Sequence, residues 1–413
     1  MSKHEKAKLD IATLRAIPPG IWALGFVALL MDISSEMIHA LLPIYLVTVM
    51  GASAFTVGII EGIAEATAAI IKIFSGAISD KLGKRKLLAV IGYGLAAFSK
   101  PIFPLAPAIG WLIAARFIDR VGKGIRGAPR DALMADISPE HLRGASFGLR
   151  QSLDTIGAFS GPLLAILLMW LYANDITAVF WFAIIPAFLA MAFMIFGVQE
   201  PDRPAGLRKV KSPLSREELK RLGGGYWSVV AVAVVFTLAR FSEAFLLLKA
   251  QSTGLPIMLV PAVMVVMNLV YALAAYPAGV LSDNGGRGKI LFVGLSFLII
   301  ADLVLALSSG VVGVMIGVAL WGLHMGLGGL LPGLLLTTLI ADTAPVELRG
   351  TAFGMYNLLT GVALLAASVI AGALWDWIGP QATFLTGAAF TAVSLFGFLI
   401  LARRQTGRDR TKQ

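Results

Sequence analysis

The sequence predicts an all-α membrane protein in which twelve transmembrane helices form two six-helix bundles. Three observations carry this: apolar runs of membrane-spanning length, basic residues gathered into alternate connections, and an internal duplication. Of 413 residues, 58% are hydrophobic and only 14% are charged, whereas soluble domains carry roughly a quarter charged residues. A helix needs ~20 apolar residues to cross a ~30 Å hydrocarbon layer.

Taken in order, the first run, 21–47, follows a segment that holds Lys3, Lys6, Lys8 and Arg15 together with Glu5, Asp10 and Pro18. Its polar interruptions and the absence of a small-residue cleavage site make it a retained helix after a cytoplasmic lead. Runs at 55–79, 87–107, 109–130, 145–170 and 177–198 complete a first set of six. Runs at 226–249, 255–281, 290–308, 310–338, 351–374 and 378–402 form the second. The chain has no cysteine, which excludes disulfides and thiolate metal ligands.

Net charge is +10, and all but Lys72, Lys100, Arg116, Arg240 and Lys249 of the 34 basic residues fall in alternate connections or the termini. This positive-inside pattern places both termini in the cytoplasm. The charge therefore reports topology and contact with anionic lipid, and no nucleic-acid partner is expected.

The stretch GAISDKLGKRK at 76–86 returns in degraded form as GVLSDNGGRGK at 279–289, and ADISPEHLRGASFG at 135–148 returns as ADTAPVELRGTAFG at 341–354. Two repeats at nearly one offset divide the chain into parallel halves, a bundle at 1–197 and a bundle at 226–413. Between them, 198–225 contains Pro201, Pro204 and Pro213 and ends in three glycines. It reads as a cytoplasmic linker, either a hinge or an inert tether.

The pattern Gly76, Asp80, Lys81, Gly83, Lys84, Arg85 resembles the loop between the second and third helices of the major facilitator superfamily. RFIDRVGKGIRGAPRDALMAD at 116–136 and DISSEM at 32–37 are similar to a bacterial branch of it. The resemblance implies a secondary transporter that carries a small molecule or ion, has no cofactor and works as a monomer. It also implies that Asp80 latches the halves in the outward-open state, with Arg116, Asp119, Arg120 and Asp283 as further members of that latch. The alternative is that Lys81, Lys84 and Arg85 only determine topology.

A charge at mid-bilayer costs at least ~2.5 kcal/mol on insertion scales, so it faces a cavity or a partner. Asp32 lies near mid-depth of the first run with Glu36 a turn further on, and Glu61, Glu65 and Lys72 share one face of the second. Lys100 precedes Pro101, Arg150 and Asp154 are i, i+4, and the second half supplies Arg240, Glu243, Asp302 and His324. Asp32, Glu36, Glu61 and Glu65 are candidates for proton coupling. Arg150 with Asp154, and Arg240 with Glu243, are equally readable as structural ion pairs. His324 sits in WGLHMGLGGLLPG, 321–333, whose glycines and proline weaken the helix. A packed, hydrogen-bonded histidine is one reading of it and proton transfer the other. With no close histidine pair, no tight metal site is expected.

Gly157, Gly161 and Pro162 in GAFSGP allow close helix approach and a kink. They resemble the fifth-helix motif of exporter branches, without its later glycines; ordinary small-residue packing is the alternative. No GxxxxGK[ST], HExxH or GxSxG pattern is present, so no enzyme activity is expected. RVGKGIRG at 120–127 lacks phosphate-loop spacing and is read as a helix terminus. The expected function is proton-coupled export, by antiport, of a small hydrophobic or cationic organic compound. The alternative is uptake, by proton symport, of a small polar metabolite or a siderophore-type metal chelate, to which Lys100, Arg116 and Arg240 would offer positive charge. A gated channel or receptor is disfavoured by the two copies of the charged loop.

Overall fold

The computed structural model describes residues 11–201, 219, 221–281, 287–329, 340, 343–345 and 348–410. Asp283, most of the linker 198–225 and much of the glycine-rich segment after Gly329 lie outside the described residues.

The fold is an all-α, multi-pass membrane fold. Nine helical stretches among the described residues are long and apolar enough to cross a bilayer. The first is Pro19–His39 (α1) continued by Leu42–Thr48 (α2). Ala54–Leu82 (α3), Arg85–Ser99 (α4), Ile109–Ile137 (α5), Arg143–Leu171 (α6) and Ile176–Ala192 (α7) follow. In the second half Gly224–Leu238 (α8) is continued by Ala244–Ser252 (α9), then come Ala262–Leu281 (α10), Arg287–Leu307 (α11), Val311–His324 (α12), Arg349–Trp377 (α13) and Pro380–Arg410 (α14).

Three expected runs are not among the nine, each for a visible reason. α5 carries Arg116, Asp119, Arg120, Lys123, Arg126, Arg130, Asp131 and Asp136, so it is long but not apolar. The run after Gly224 is apolar but broken at residues 239–243, and the one after Val311 is described only to Gly329. The first run also breaks, at Ala40 and Leu41, where Pro43 enters the first turn of α2. Proline at that position lacks only a donor that the helix start leaves unpaired anyway.

Within the first half, α1 packs on α6 and α7, and α5 packs on α3 and α4. The glycines of RVGKGIRG explain the second contact. A Cβ on Gly122 would lie 2.5 Å from the Gly92 carbonyl oxygen of α4, and one on Gly124 would lie 2.7 Å from Ile71 of α3. Small residues let the backbones meet, as in membrane helix pairs generally. In the second half α11 packs on α12 and α14, α10 on α12, and α8 on α13 and α14.

The halves meet mainly where α3 crosses α13, α6 crosses α10, and α2 touches α9. The α3–α13 seam is tight at one end and looser towards the other. Cβ atoms on Gly58 and Gly62 would collide with backbone at Ser368 and Leu365, and one on Gly372 would lie 2.6 Å from the Ala54 carbonyl oxygen. Further along, a Cβ on Gly361 would meet Ala69 and Ile70 at an ordinary 3.4–3.5 Å. Beyond that, Gly76 faces Ala128 of its own half. At the tight end the Asp376 carboxylate of α13 accepts from the backbone N–H groups of Phe55 (2.9 Å) and Ala54 (3.2 Å). It caps the first turn of α3, whose N–H groups have no partner within the helix. Asn268 of α10 donates to the Ala158 carbonyl of α6 at 3.0 Å.

Removing the Asp376 carboxylate with Asp376→Asn should weaken the cap by about 0.5–1 kcal/mol, as expected for an exposed N-terminal carboxylate. Because the chain has no native cysteine, a Val57→Cys reporter buried in the seam should be alkylated roughly two- to fivefold faster in that background.

Candidate functional site

The site begins with one face of α5. Arg116, Asp119, Arg120 and Lys123 lie three or four residues apart, which stacks them on one side of a helix. α3 supplies Glu61 and Glu65 by the same i, i+4 rule, and α1 supplies Asp32, Glu36 and His39. Lys100 terminates α4 immediately before Pro101.

Their contacts form two short chains of charge. Arg116 donates to Glu61 at 2.6 Å, both side chains being almost fully buried. His39 bridges onward, with Nε2 3.7 Å from Glu61 and Nδ1 3.6 Å from Glu36. In the second chain Lys100 donates to Asp119 at 3.0 Å and to Ser35 Oγ at 3.2 Å. Arg120 pairs with Glu65 at 3.1 Å and lies 3.6 Å from Asp119. Pairing is the condition for such charges at this depth, because an isolated buried ion loses its hydration uncompensated. Asp32 makes no hydrogen bond or ion pair among the described residues; the nearest charges acting on it are Asp154, Glu36, Lys123 and Arg126. Gly157 and Gly161 of α6 bring that helix onto α1, where a Cβ would stand 2.9 Å from Asp32 Cβ and 2.8 Å from Glu36 Cβ. The GAFSGP glycines thus seat the two acidic residues.

A cavity of about 330 Å³ opens between the halves. From the first half it is lined by Glu36, His39, Glu65, Arg120 and Lys123. The second half supplies Arg240, Phe241, Ser242, Glu243, Trp321, Leu364 and Ser368. Residues 240–243 fall in the break between α8 and α9, held to α13 by a hydrogen bond from the Ser242 N–H to Ser368 Oγ (3.2 Å). Irregular backbone at membrane depth is tolerated where it lines such a cavity.

Several expected residues fall elsewhere. Arg116, Asp119 and Arg120 belong to the interior chains, not to the Asp80 group where they were expected. Asp80 accepts from Arg85 of its own half at 3.0 Å and is 56% exposed. Arg85 also pairs with Asp136 and donates to the Ala132 carbonyl, while its N–H donates to Glu200. Gly83 ends α3 with φ 65°, its N–H donating to Ser79. Lys81 and Lys84 are exposed. Lys72, expected on the Glu61–Glu65 stripe, is exposed and rests its stem near Gly127. Arg150 does pair with Asp154. Arg240 and Glu243 do not pair within 4 Å, because the helix is interrupted between them.

Asp302 and His324 are fully buried but do not line the cavity. Asp302 lies against Phe241 and Gly387 with neither oxygen partnered among the described residues. His324 Nδ1 is 2.8 Å from the Gly294 carbonyl, and its ring packs edge-on to Phe236.

His39, Lys123 and Arg126 are interior residues that the span pattern assigns to helix ends or loops. Arg126 is buried with its guanidinium 4.7 Å above the Tyr93 ring. Their signal is spacing: His39 is i+3 from Glu36, and Lys123 is i+7 from Arg116. Among the described residues no cluster of three potential metal ligands occurs.

Comparison with known proteins places this geometry in context. The sequence profile of the Major Facilitator Superfamily matches residues 24–335. The chain is 32% identical over 397 residues to the uncharacterised MFS-type transporter MJ1317 of Methanocaldococcus jannaschii, covering 94% of this chain and 95% of that one. It is 27% identical over 398 residues to the inner membrane transport protein YajR of Escherichia coli, covering 91% and 81%. Its fold is similar to the crystal structure of the nucleoside transporter NupG, with a TM-score of 0.71 at 13% identity over 92% of this chain and 98% of that one. By profile, by relatives and by fold, this multi-pass membrane chain belongs to the Major Facilitator Superfamily of secondary transporters and is not an enzyme.

Proposed function

We propose that this transporter moves a small polar cargo by alternating access, with protons as the coupling ion. The observation that carries the reading is the cavity between the halves, charged on both walls, with α3 and α13 in tightest contact at the end where Asp376 caps α3; we take that end as the closed one. In this reading all twelve apolar segments cross the membrane, α5 and the two interrupted helices included. They form bundles at 1–197 and 226–413 joined by a cytoplasmic linker at 198–225. Both termini face the cytoplasm of a bacterial inner membrane, and the monomer is the working unit.

The basic end is then the cytoplasmic end, and the conformation is open inward. Asp80 fits this: its carboxylate is solvent-exposed and, among the described residues, its ion pair is with Arg85 of its own half. In the outward-open state the Gly76–Arg85 loop, with Asp283 as its counterpart, would close against the other bundle as the Asp376 cap releases.

Charge pairing divides the four acidic candidates. Glu61 is clamped by Arg116 in a dry setting and serves to fix α3 to α5. Asp32 has no ion-pair partner within 4 Å, and Glu36 and Glu65 reach the cavity, so these three are the groups that exchange protons with it. Protonation of Glu65 would free Arg120, changing the charge that the cavity presents to the opposite half. The charged walls favour a small polar cargo. Export of a hydrophobic or cationic organic compound, the other reading, draws on Phe241, Trp321 and the carboxylates alone. Carriage of a siderophore-type chelate would need more room than the cavity in this conformation offers.

Purified protein in vesicles should show saturable counterflow, which a channel would not. Glu65→Gln and Asp32→Asn should keep counterflow while gradient-driven accumulation falls at least tenfold; loss of both activities together would assign these residues to binding or folding. Arg116→Leu should lower stability by about 3–5 kcal/mol, the cost of stranding one member of a buried pair, seen as a large drop in melting temperature. The double variant Glu61→Gln/Arg116→Gln should recover most of it.

A further inference from the structure

The lining of the cavity is balanced in sign. Glu36, Glu65 and Glu243 face Arg120, Lys123 and Arg240, three carboxylates against three basic side chains, with His39 beside Glu36. A cargo of large net charge gains little from such a wall. What distinguishes the six is which of them are already satisfied. Glu65 and Arg120 hold each other at 3.1 Å, and Glu36 has His39 at 3.6 Å. Lys123, Arg240 and Glu243 have no hydrogen-bond or ion-pair partner within 4 Å among the described residues; of these three, Arg240 and Glu243 come from one wall, are opposite in sign and lie three positions apart in sequence.

The interrupted helix explains why they stay apart. On a continuous helix, residues i and i+3 would sit side by side and neutralise each other. Here α8 ends at Leu238 and α9 starts at Ala244. The Arg240 guanidinium is turned back over the Phe236 ring at 5.8 Å, whereas Glu243 stands at the start of α9. The break is fixed at both sides, by the Arg240 N–H donating to the Thr237 carbonyl (3.0 Å) and the Ser242 N–H donating to Ser368. Between the two charges, Phe241 projects into a cluster with Trp321, Phe245 and Phe384, at centroid distances of 5.4–5.7 Å. The second half therefore presents a cation, an aromatic surface and an anion in sequence, each half-buried or buried, and neither charge has an ion-pair partner within 4 Å among the described residues.

Building on the transport reading above, we infer that the cargo is a small zwitterion, whose anionic group binds Arg240, whose cationic group binds Glu243, and whose hydrocarbon rests on Phe241 and Trp321. The volume sets its size, since about 330 Å³ holds roughly eleven waters at ~30 Å³ each, the scale of an amino acid and not of a large drug. A ligand with only one of the two charges would leave the other wall group desolvated and unpaired, which is the strongest source of discrimination a polar site has.

The test uses the purified full chain and calorimetric titration with leucine, 4-aminobutyrate and 6-aminohexanoate. Each is set against its carboxylate-only and amine-only analogue: 4-methylpentanoate and 3-methylbutylamine, butyrate and propylamine, hexanoate and pentylamine. At least one zwitterion should bind ten or more times tighter than both of its analogues. Arg240→Gln should lower its affinity to that of the amine-only analogue, and Glu243→Gln to that of the carboxylate-only analogue, with melting temperatures retained. If Arg240→Gln does not survive purification, Arg240→Lys should keep the zwitterion preference with weaker binding. The inference is overturned if a singly charged analogue binds as tightly as its zwitterion, if the folded variants leave the ranking unchanged, or if none of the three zwitterions binds below about 10 mM. Counterflow of an amine-only compound that no zwitterion competes with would leave transport standing and remove the zwitterion. Tight zwitterion binding without counterflow would do the reverse.

Discussion

The structure depends on opposite charges being matched inside a low-dielectric bundle. The inner face of α5 presents Arg116, Asp119 and Arg120 buried at a depth where none could stay ionised alone, with Lys123 open to the cavity beyond them, and α1, α3 and α4 bring a counter-charge or a polar partner to that face. Glu61 and Glu65 on α3, Lys100 at the end of α4, and Ser35, Glu36 and His39 on α1 are placed by this requirement. Ordinary membrane packing supplies the close approach, through Gly122 and Gly124 on one side of α5 and Gly157 and Gly161 between α6 and α1. Small residues bring the helices together, and charge fixes their register.

The second half answers with much less charge and a different device. The break between α8 and α9 at residues 239–243 lies about one repeat length after the break between α1 and α2 at Ala40 and Leu41. Both interruptions border the cavity, through His39 on one side and Arg240 to Glu243 on the other. In the first half Glu36, Glu65 and Arg120 have partners within 4 Å; in the second Arg240 and Glu243 have none among the described residues. The duplication has kept the position of the interruption while the chemistry on either side has diverged.

Much of this was legible in the sequence. The helical segments follow from apolar runs, the Glu61–Glu65 pair from i, i+4 spacing, the Arg150–Asp154 pair likewise, and the GAFSGP contact from its glycines. What was not legible has a common cause: a linear pattern shows where charge occurs but not which neighbour meets it. Lys123 and Arg126 look like loop charges until α5 is seen to continue to Ile137, and His39, the last residue of α1, is seen to lie inside the bundle between Glu36 and Glu61. Lys72 fits the polar stripe by angle, yet its side chain is exposed and runs past Gly127 of α5. Arg240 and Glu243 read as a pair only on the assumption of an unbroken helix. Asp302 was expected to line the interior path, whereas α11 turns it into the second half's own packing; His324 is the packed, hydrogen-bonded histidine that one of its two readings gave.

The graded seam between α3 and α13 has a mechanical meaning. Contact through Gly58, Gly62 and Gly372 is so close that it behaves as a fulcrum, with the rest of α3 as a lever arm. From Gly58 to Asp80 that arm is about 33 Å at 1.5 Å per residue. A tilt of about 10° at the fulcrum would sweep the far tip through roughly 6 Å, wide enough to admit a side chain or a solute, while the glycines themselves would shift by far less. A stiff rod pivoting on small residues would convert a shift of about 2 Å beside the cavity, at Glu65, into a gap about three times as wide at the opposite surface.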